Sequence, residues 1–452
     1  MSGVRRVYIA NRGEIALRVI EACERLGYET VLGVSSVDRE TLAAKRASRV
    51  LVVGGPRSTD SYLNREAVLH AALSTGCHAV HPGYGFLAES GDFARACAEN
   101  GLIFIGPKPE QLETLGDKLS ARAFAESVGV PVSPGGQTST LEEATALAEK
   151  TGFPLLVKAA YGGGGRGMKL VTRMEELPEA WRVASSEAAS AFGDGTVFLE
   201  RFVSAAKHIE VQILGDAHGA CVHLGERECS VQFRYQKMLE EAPSTALHPE
   251  DRVKLFDYAI KIGRGLGYRG LGTVEFLYNV GTREISFLEV NPRVQVEHPV
   301  TEAVTGVDLV REQILVAFGG TLPFTQNDIS VEGHAVELRL TAQDPEHGLR
   351  PTPGRLKRWR PTPIGGVRWE THMYEGYLFP PYYDALMAKI IAWGPSREDA
   401  LRQARRAVDE LEVEGPTTNR ALLSKLLMLS AVTENSVTTR WLEDQFNERK
   451  LP

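Results

Sequence analysis

The first 34 residues change their hydrophobic period twice, and this restricts the fold more than any other feature of the chain. Val4–Ala10 reads as a short buried strand. Ile15, Leu17, Val19, Ile20, Cys23 and Leu26 then recur at helical spacing, Gly27 stops the helix, and Glu29–Val34 gives a second apolar run. A period of 2, then 3.6, then 2 again is the pattern of a βαβ unit, with parallel strands and a right-handed crossover. Runs at Val50–Val53, Ala79–Val80 and Leu102–Ile105 continue it, each followed by Gly, Pro or Asp punctuation. The spacing predicts an open, Rossmann-like sheet up to about Pro107. No GxGxxG occurs there, so nothing supports a dinucleotide site.

The rest of the chain has a different rhythm. A helix is expected over Leu112–Val128, and a boundary at Gly129-Val130-Pro131 and Pro134-Gly135-Gly136. Residues 131–203 predict a helix (Leu141–Lys150), a strand (Pro154–Ala159), a glycine loop and a further strand (Val197–Phe202), a unit small enough to serve as a mobile lid. From Ser204 the chain is strand-rich, as at His208–Leu214 and Ile285–Val290, and ends in two helices near 396–413 and 417–430. A length of 452 residues suits about three domains. A net charge of −7 is a poor fit to a nucleic-acid binder, and no apolar run reaches the roughly 18 residues of a membrane span. No secretory signal is visible. Five scattered cysteines suit reduced thiols in a cytoplasmic protein, and no CxxC or HExxH spacing suggests zinc.

Five motifs carry chemistry. Lys158 leads into Gly162-Gly163-Gly164-Gly165-Arg166-Gly167-Met168, where consecutive glycines between two strands let backbone N–H groups approach a phosphate and the lysine adds a charge. A flexible hairpin tip is the plainer alternative, and the missing GK[ST] excludes a Walker A loop. In Glu289–His298 the odd positions Glu289, Asn291, Arg293, Gln295 and Glu297 are polar, and an extended chain would put them on one face. Two carboxylates, two amides and an arginine suit a metal and an oxyanion better than a solvated edge strand. Gly272-Thr273-Val274-Glu275-Phe276 precedes that run, and a hairpin would set Glu275 beside Glu289. Two carboxylates 4 Å apart repel by roughly 4 kcal/mol, a cost that Mg²⁺ would remove. In Glu228–Lys237 a structural Cys229 is favoured over a reactive thiol, with Lys237 an anion ligand. His81-Pro82-Gly83-Tyr84-Gly85-Phe86-Leu87 follows a strand of the first sheet, either at its ligand-binding end or as a packed turn.

Together with Ala10–Ala16, Gln295–Glu302, Gly333–Arg339 and Pro380–Asp384, these motifs resemble the biotin carboxylase family over nearly the whole chain. The resemblance implies an α/β and α+β architecture of the ATP-grasp superfamily. Its parts are a Rossmann-like pre-ATP-grasp domain (1–115), a lid domain (131–203) and a catalytic domain (204–452) with a C-terminal subdomain at about 333–445. It implies that ATP phosphorylates bicarbonate to carboxyphosphate, whose CO₂ passes to a biotin ureido nitrogen. The implied ATP ligands are Lys118, Lys158, Gly164, Gly165, Met168, Glu200, Arg201, Phe202, Val203, His208, Gln232, Tyr235 and Leu277. Glu275, Glu289 and Asn291 match ligands of Mg²⁺ (or Mn²⁺). Lys237, Arg293, Gln295 and Val296 match a bicarbonate pocket, and Tyr84, Gly85 and Arg339 a biotin site. The implied catalytic groups are Lys237, Arg293, Glu297 and Arg339, with Glu297 the base, kept ionised by Arg293, and Arg339 stabilising the ureido oxyanion.

Three positions depart from the family pattern: Tyr235 stands where QRRHQK has His, Gln343 where RINAEDP has Glu, and Tyr161 where some members have Gly. No Met-Lys-Met biotinylation motif occurs, so biotin is expected on a separate biotin carboxyl carrier protein, with carboxyltransferase subunits as further partners. A homodimer is implied, with Arg18 and Arg368 near its interface. The default assignment is the biotin carboxylase subunit of acetyl-CoA carboxylase. Alternatives are a subunit serving another acyl-CoA, pyruvate or urea, a different ATP-grasp carboxylate–amine ligase, and an inactive nucleotide-binding subunit.

Overall fold

The computed structural model describes residues 4–159, 168–192, 195–448 and 451. The expected βαβ start is present. Strands β1 (Arg6–Ile9), β2 (Glu29–Ser35), β3 (Arg49–Gly54), β4 (Ala79–His81) and β5 (Ile103–Phe104) form a parallel sheet in the order β3-β2-β1-β4-β5. The order reverses between β1 and β4, where open sheets place their ligand crevice. There the Asn11 amide, just past β1, donates to the carbonyls of Pro82 and Tyr84, just past β4, at 2.7 Å each. Helix α1 (Gly13–Arg25) buries Ile15, Val19, Ile20 and Cys23 against the sheet. β3 is an edge strand, and Val50 and Val52 on it are exposed.

The expected helix over 112–128 is two helices, Pro109–Gly116 and Lys118–Ser127. Asp117 between them is extended, and its carboxylate accepts from the Ser120 N–H and hydroxyl, so it caps a new helix rather than continuing the old one. The next unit is an antiparallel sheet of β6 (Gly135–Thr138), β7 (Leu155–Ala159), β8 (Lys169–Val171) and β9 (Val197–Arg201), in the order β6-β9-β7-β8. Helix Leu141–Thr151 covers it, as does a 16-residue helix, Leu177–Phe192, that the sequence reading missed. Ala144, Ala148, Leu155, Val157, Leu177, Val197 and Leu199 give this unit its own core.

The largest sheet has eight strands. β10 (Ala206–Gly215), β11 (Cys221–Phe233), β12 (Gln236–Ala242), β13 (Gly270–Asn279), β14 (Ile285–Asn291), β15 (His334–Thr341), β16 (Val367–Thr371) and β17 (Leu386–Gly394) run antiparallel in the order β14-β13-β10-β11-β12-β15-β17-β16. The C-terminal helices are shorter and more numerous than expected: Arg397–Glu410, Arg420–Leu426, Ser430–Thr433 and Trp441–Asn447. Extended Leu411 and Leu429 interrupt the two long runs. Among the described residues no helix is long and apolar enough to cross a membrane, and all five cysteines are buried free thiols.

β10 ends at Gly215, where an added Cβ would stand 2.0 Å from the backbone oxygen of Tyr268. Backbone cannot swing aside as a side chain can, so Gly215→Ala should lose on the order of 3 kcal/mol of stability. Calorimetry on the variant checks this, and an unchanged melting temperature would refute it.

Candidate active site

Alternation along β10 builds the floor of the site. Ile209, Val211 and Ile213 pack into the core with Leu255, Ala259 and Ile262 of helix Pro249–Gly265. His208, Glu210 and Gln212 lie on the opposite face, yet are buried as well. Polar groups there need partners, and Arg227 on β11 supplies them. Its Nε donates to Glu210 at 2.5 Å, Nη1 to Gln212 at 2.7 Å and Thr301 at 2.9 Å, and Nη2 to Thr273 and Gln295 at 3.1 Å each. All five guanidinium N–H donors are used, and the side chain is fully buried.

Lys237 continues this network. Its ammonium bonds Glu297 at 2.5 Å, Glu210 at 2.6 Å and Glu275 at 3.1 Å. The other Glu297 oxygen accepts from Arg339 Nη2 at 2.8 Å, and Arg339 Nε bonds Glu240 at 2.5 Å. Burial alone would push the Glu297 carboxyl up, but Lys237, Arg339 and Arg227 outweigh it and hold it well below the usual carboxylate range. Glu240 goes the other way, raised chiefly by burial.

The β13–β14 hairpin forms as expected, with Glu275 directly opposite Glu289. Glu275 Oε1 accepts from Asn291 at 2.9 Å and Gln295 at 3.0 Å, and its Oε2 lies 2.9 Å from His208 Nε2. Against the effect of burial, Lys237 and His208 hold Glu275 strongly ionised. Half-buried Glu289 is raised, first by loss of water and then by the Glu275 charge. Two adjacent carboxylates and an amide form an oxygen-rich donor set whose mutual repulsion a hard cation would relieve, so the residues fit Mg²⁺. Lys118 Nζ stands 3.8 Å from Glu289.

Residues 289–297 are not one extended strand. β14 stops at Asn291, and Pro292, which has no N–H, begins a loop. The loop still turns Asn291, Gln295 and Glu297 inward. Arg293 departs from the sequence reading: it bonds Glu89 at 2.5 Å and Asn291 at 2.9 Å, so Glu297 owes its ionisation to other cations. The Val296 carbonyl accepts from Lys389 at 2.9 Å. Above β4, the Tyr84 hydroxyl donates to Glu14, and Gly85 has a φ of +67°.

On the lid side, Lys158 pairs with Glu200 at 2.8 Å on adjacent β7 and β9. Arg201 ends β9, Phe202 lies beneath the Arg440 guanidinium, and Val203 follows. Met168 Sδ is 3.9 Å from the hydroxyl of Tyr235, which is exposed with a φ of +66°. Gln232 faces Lys237 across β11–β12, and Leu277 faces His208 across β10–β13. Gly164, Gly165 and Tyr161 lie outside the described residues. Cys229 is fully buried, and burial with nearby Glu210 raises its thiol, which fits the structural reading. Gln343 donates to the Leu349 carbonyl at 2.9 Å, a bond that an ionised carboxylate cannot make.

Sequence reasoning missed Glu210, Arg227, Glu240, Glu89, Glu14 and Lys389. For Glu210 a signal existed: His208, Glu210 and Gln212 alternate with Ile209, Val211 and Ile213, which places the three polar residues on one face of a strand.

Comparison with known proteins agrees with this geometry. The model of the biotin carboxylase N-terminal domain matches residues 3–112, that of the carbamoyl-phosphate synthase L chain ATP-binding domain residues 117–325, and that of the biotin carboxylase C-terminal domain residues 337–444. A biotin carboxylase of Nostoc sp. is 44% identical over 441 residues, covering 97% of this chain and 98% of that protein. One of Pseudomonas aeruginosa is 43% identical over 450 residues, covering 99% and 100%. The biotin carboxylase domain dimer of Hydrogenobacter thermophilus 2-oxoglutarate carboxylase, crystallised with MgADP, ADP and bicarbonate, matches at a TM-score of 0.93 and 41% identity, covering 98% of each chain. A parallel N-terminal sheet, a small lid and a large antiparallel sheet carrying buried acids and bases define an ATP-grasp ligase. The chain belongs to the biotin carboxylase family.

Two outcomes follow from the buried charges. Arg227→Met leaves Glu210 buried beside fewer cations and strands four further acceptors, so it should cost about 3–5 kcal/mol in denaturant unfolding. Glu297 has a depressed folded pKa, so its contribution to stability is complete above the unfolded value of about 4.3 and drains away as pH falls below it. Glu297→Gln should therefore flatten the acid limb of a stability–pH curve. An acid limb as steep as the wild type's would contradict the ionised assignment.

Proposed function

We propose that the chain carboxylates biotin on a separate biotin carboxyl carrier protein, using ATP and bicarbonate by way of carboxyphosphate. One observation carries this reading: the Glu297 carboxylate is clasped by Lys237 on one oxygen and Arg339 on the other. A base held between two cations has an anion site on either side, one for bicarbonate and one for the ureido oxyanion.

In the sequence we assign, bicarbonate sits against Lys237, Arg293, Gln295 and the Val296 N–H. Glu297 accepts its proton as its oxygen attacks the γ-phosphorus and ADP leaves. Carboxyphosphate breaks down to CO₂ and phosphate, phosphate takes the ureido N–H proton, and that nitrogen attacks CO₂. Arg339 stabilises the negative charge on the ureido oxygen, a fixed charge placed where charge develops. Tyr84 and Gly85 line the biotin site. Lys118, Lys158, Gly164, Gly165, Met168, Glu200–Val203, His208, Gln232, Tyr235 and Leu277 surround the nucleotide. Glu275, Glu289 and Asn291 would hold Mg²⁺ or Mn²⁺, which would neutralise phosphate charge.

The working divisions are 1–115, 131–203 and 204–452, with the second closing over ATP to keep water from carboxyphosphate. The H. thermophilus relative is a dimer, and we infer a homodimer here through the face bearing Arg18 and Arg368. That face holds a cavity of about 240 Å³ also lined by Glu21, Arg25 and Trp369. Carboxyltransferase subunits would take the product. Acetyl-CoA is the acceptor we assign by default, since the carboxylation of biotin is the same chemistry whichever acceptor follows.

ATP hydrolysis with Mg²⁺ and bicarbonate, with and without free biotin, tests this. Biotin should raise the rate, and Glu297→Gln should abolish that rise. Turnover indifferent to biotin and bicarbonate would remove the substrate assignment and leave another ATP-grasp ligase.

A further inference from the structure

Lys389 stands in the middle of β17, within Leu-Met-Ala-Lys-Ile-Ile-Ala, and is fully buried. An ammonium ion loses much hydration there, so its partners must matter. Its ammonium donates to the Val296 carbonyl at 2.9 Å and forms ion pairs with Glu370 Oε2 at 2.6 Å and Glu14 Oε2 at 3.2 Å. A neutral donor could serve the carbonyl alone. The charge answers buried acids brought to the same point, Glu14 from α1 and Glu370 from β16, with Glu337 of β15 nearby.

Each partner leads elsewhere. The Val296 carbonyl belongs to the peptide that enters Glu297. The preceding carbonyl, of Gln295, is bound by His298 Nδ1 at 2.7 Å. Burial and Lys389 itself keep that histidine neutral, so Nδ1 carries the donated proton. Two consecutive peptides are thus pinned, which fixes where the Val296 N–H and the Glu297 side chain point. On the other side, the second Glu14 oxygen accepts the Tyr84 hydroxyl proton. Register adds a further constraint: Lys389 lies directly between Arg339 on β15 and Glu370 on β16.

We propose that Lys389 is a positioning residue for biotin carboxylation: one ammonium group sets the Val296–Glu297 peptide on the bicarbonate side and, through Glu14, the Tyr84 hydroxyl on the biotin side. This rests on the assignment of those two subsites made above. Its consequence is that the subsites are mechanically tied, so damage at the Glu14 end is felt by bicarbonate, which Glu14 does not touch.

Steady-state kinetics on the full chain tests this with wild type, Lys389→Met and Glu14→Gln. Bicarbonate KM is read from slow ATP turnover without biotin, and biotin KM from the stimulated rate. Glu14→Gln should raise bicarbonate KM about threefold or more, a larger factor than any fall in kcat, and raise biotin KM as well. Lys389→Met should raise both further. If it fails to fold, Glu14→Gln decides alone, since it retains Lys389 and the Glu370 pair. A fall in kcat or melting temperature with bicarbonate KM unchanged would overturn the proposal and leave Lys389 a structural ion pair. Wild-type turnover that ignores biotin would instead overturn the functional reading, and this proposal with it.

Discussion

The interaction on which the site depends is the hold that Lys237 and Arg339 have on Glu297. A carboxylate removed from water loses several kcal/mol of hydration, and attraction to its partners restores this only when the geometry is tight. Everything around Glu297 supplies that geometry. β12 and β15 carry the two cations, and β10 and β11 supply Glu210 and Arg227, which fix Lys237 and Gln295. Helix His298–Thr305 begins directly after Glu297 and contributes Thr301 to the same arginine. The site is thus a segment of a buried polar core in which Arg227 and Lys237 use every N–H donor and both Glu297 oxygens are held, an arrangement that rigidifies it.

Two units of the structure have separate cores. The acids and bases sit on the eight-stranded sheet, while β6, β7, β8 and β9 form a four-stranded unit with its own apolar cluster. A unit that does not borrow its core from the sheet can turn as a body without exposing apolar surface. Met168 with Tyr235, and Arg440 above Phe202, are side-chain contacts between the two.

The sequence was legible where one rule acted alone. The N-terminal sheet follows from clean changes of period, and the Glu275–Glu289 pairing follows from a short hairpin. Rules in competition were harder to read. Asp117 sits inside a good helical pattern, but its capping bond wins over continuation. Leu177–Phe192 shows its buried face mainly through Ala184 and Ala188, and alanine gives little hydrophobic signal. An extended chain would put the five polar positions from 289 to 297 on one face, whereas Pro292 ends the strand and a loop gathers Asn291, Gln295 and Glu297. Arg293 then turns to Glu89, a partner supplied by a remote part of the chain. Buried ions such as Lys389 and Glu14 leave no local trace, because their meaning lies wholly in which strands become neighbours.

Arg227 has a consequence for the history of the sequence. Its five N–H groups meet acceptors on Glu210, Gln212, Thr273, Gln295 and Thr301, which come from two strands, a loop and a helix. No other side chain has five donors in that planar fork, and lysine would reach at most three of the acceptors. A change at position 227 therefore needs simultaneous change at several distant codons, and single steps in between leave buried acceptors bare. Drift can rewrite the surface of this protein one residue at a time. At Arg227 it meets a combination lock, and any descendant that lacks this arginine must have rebuilt the surrounding interior.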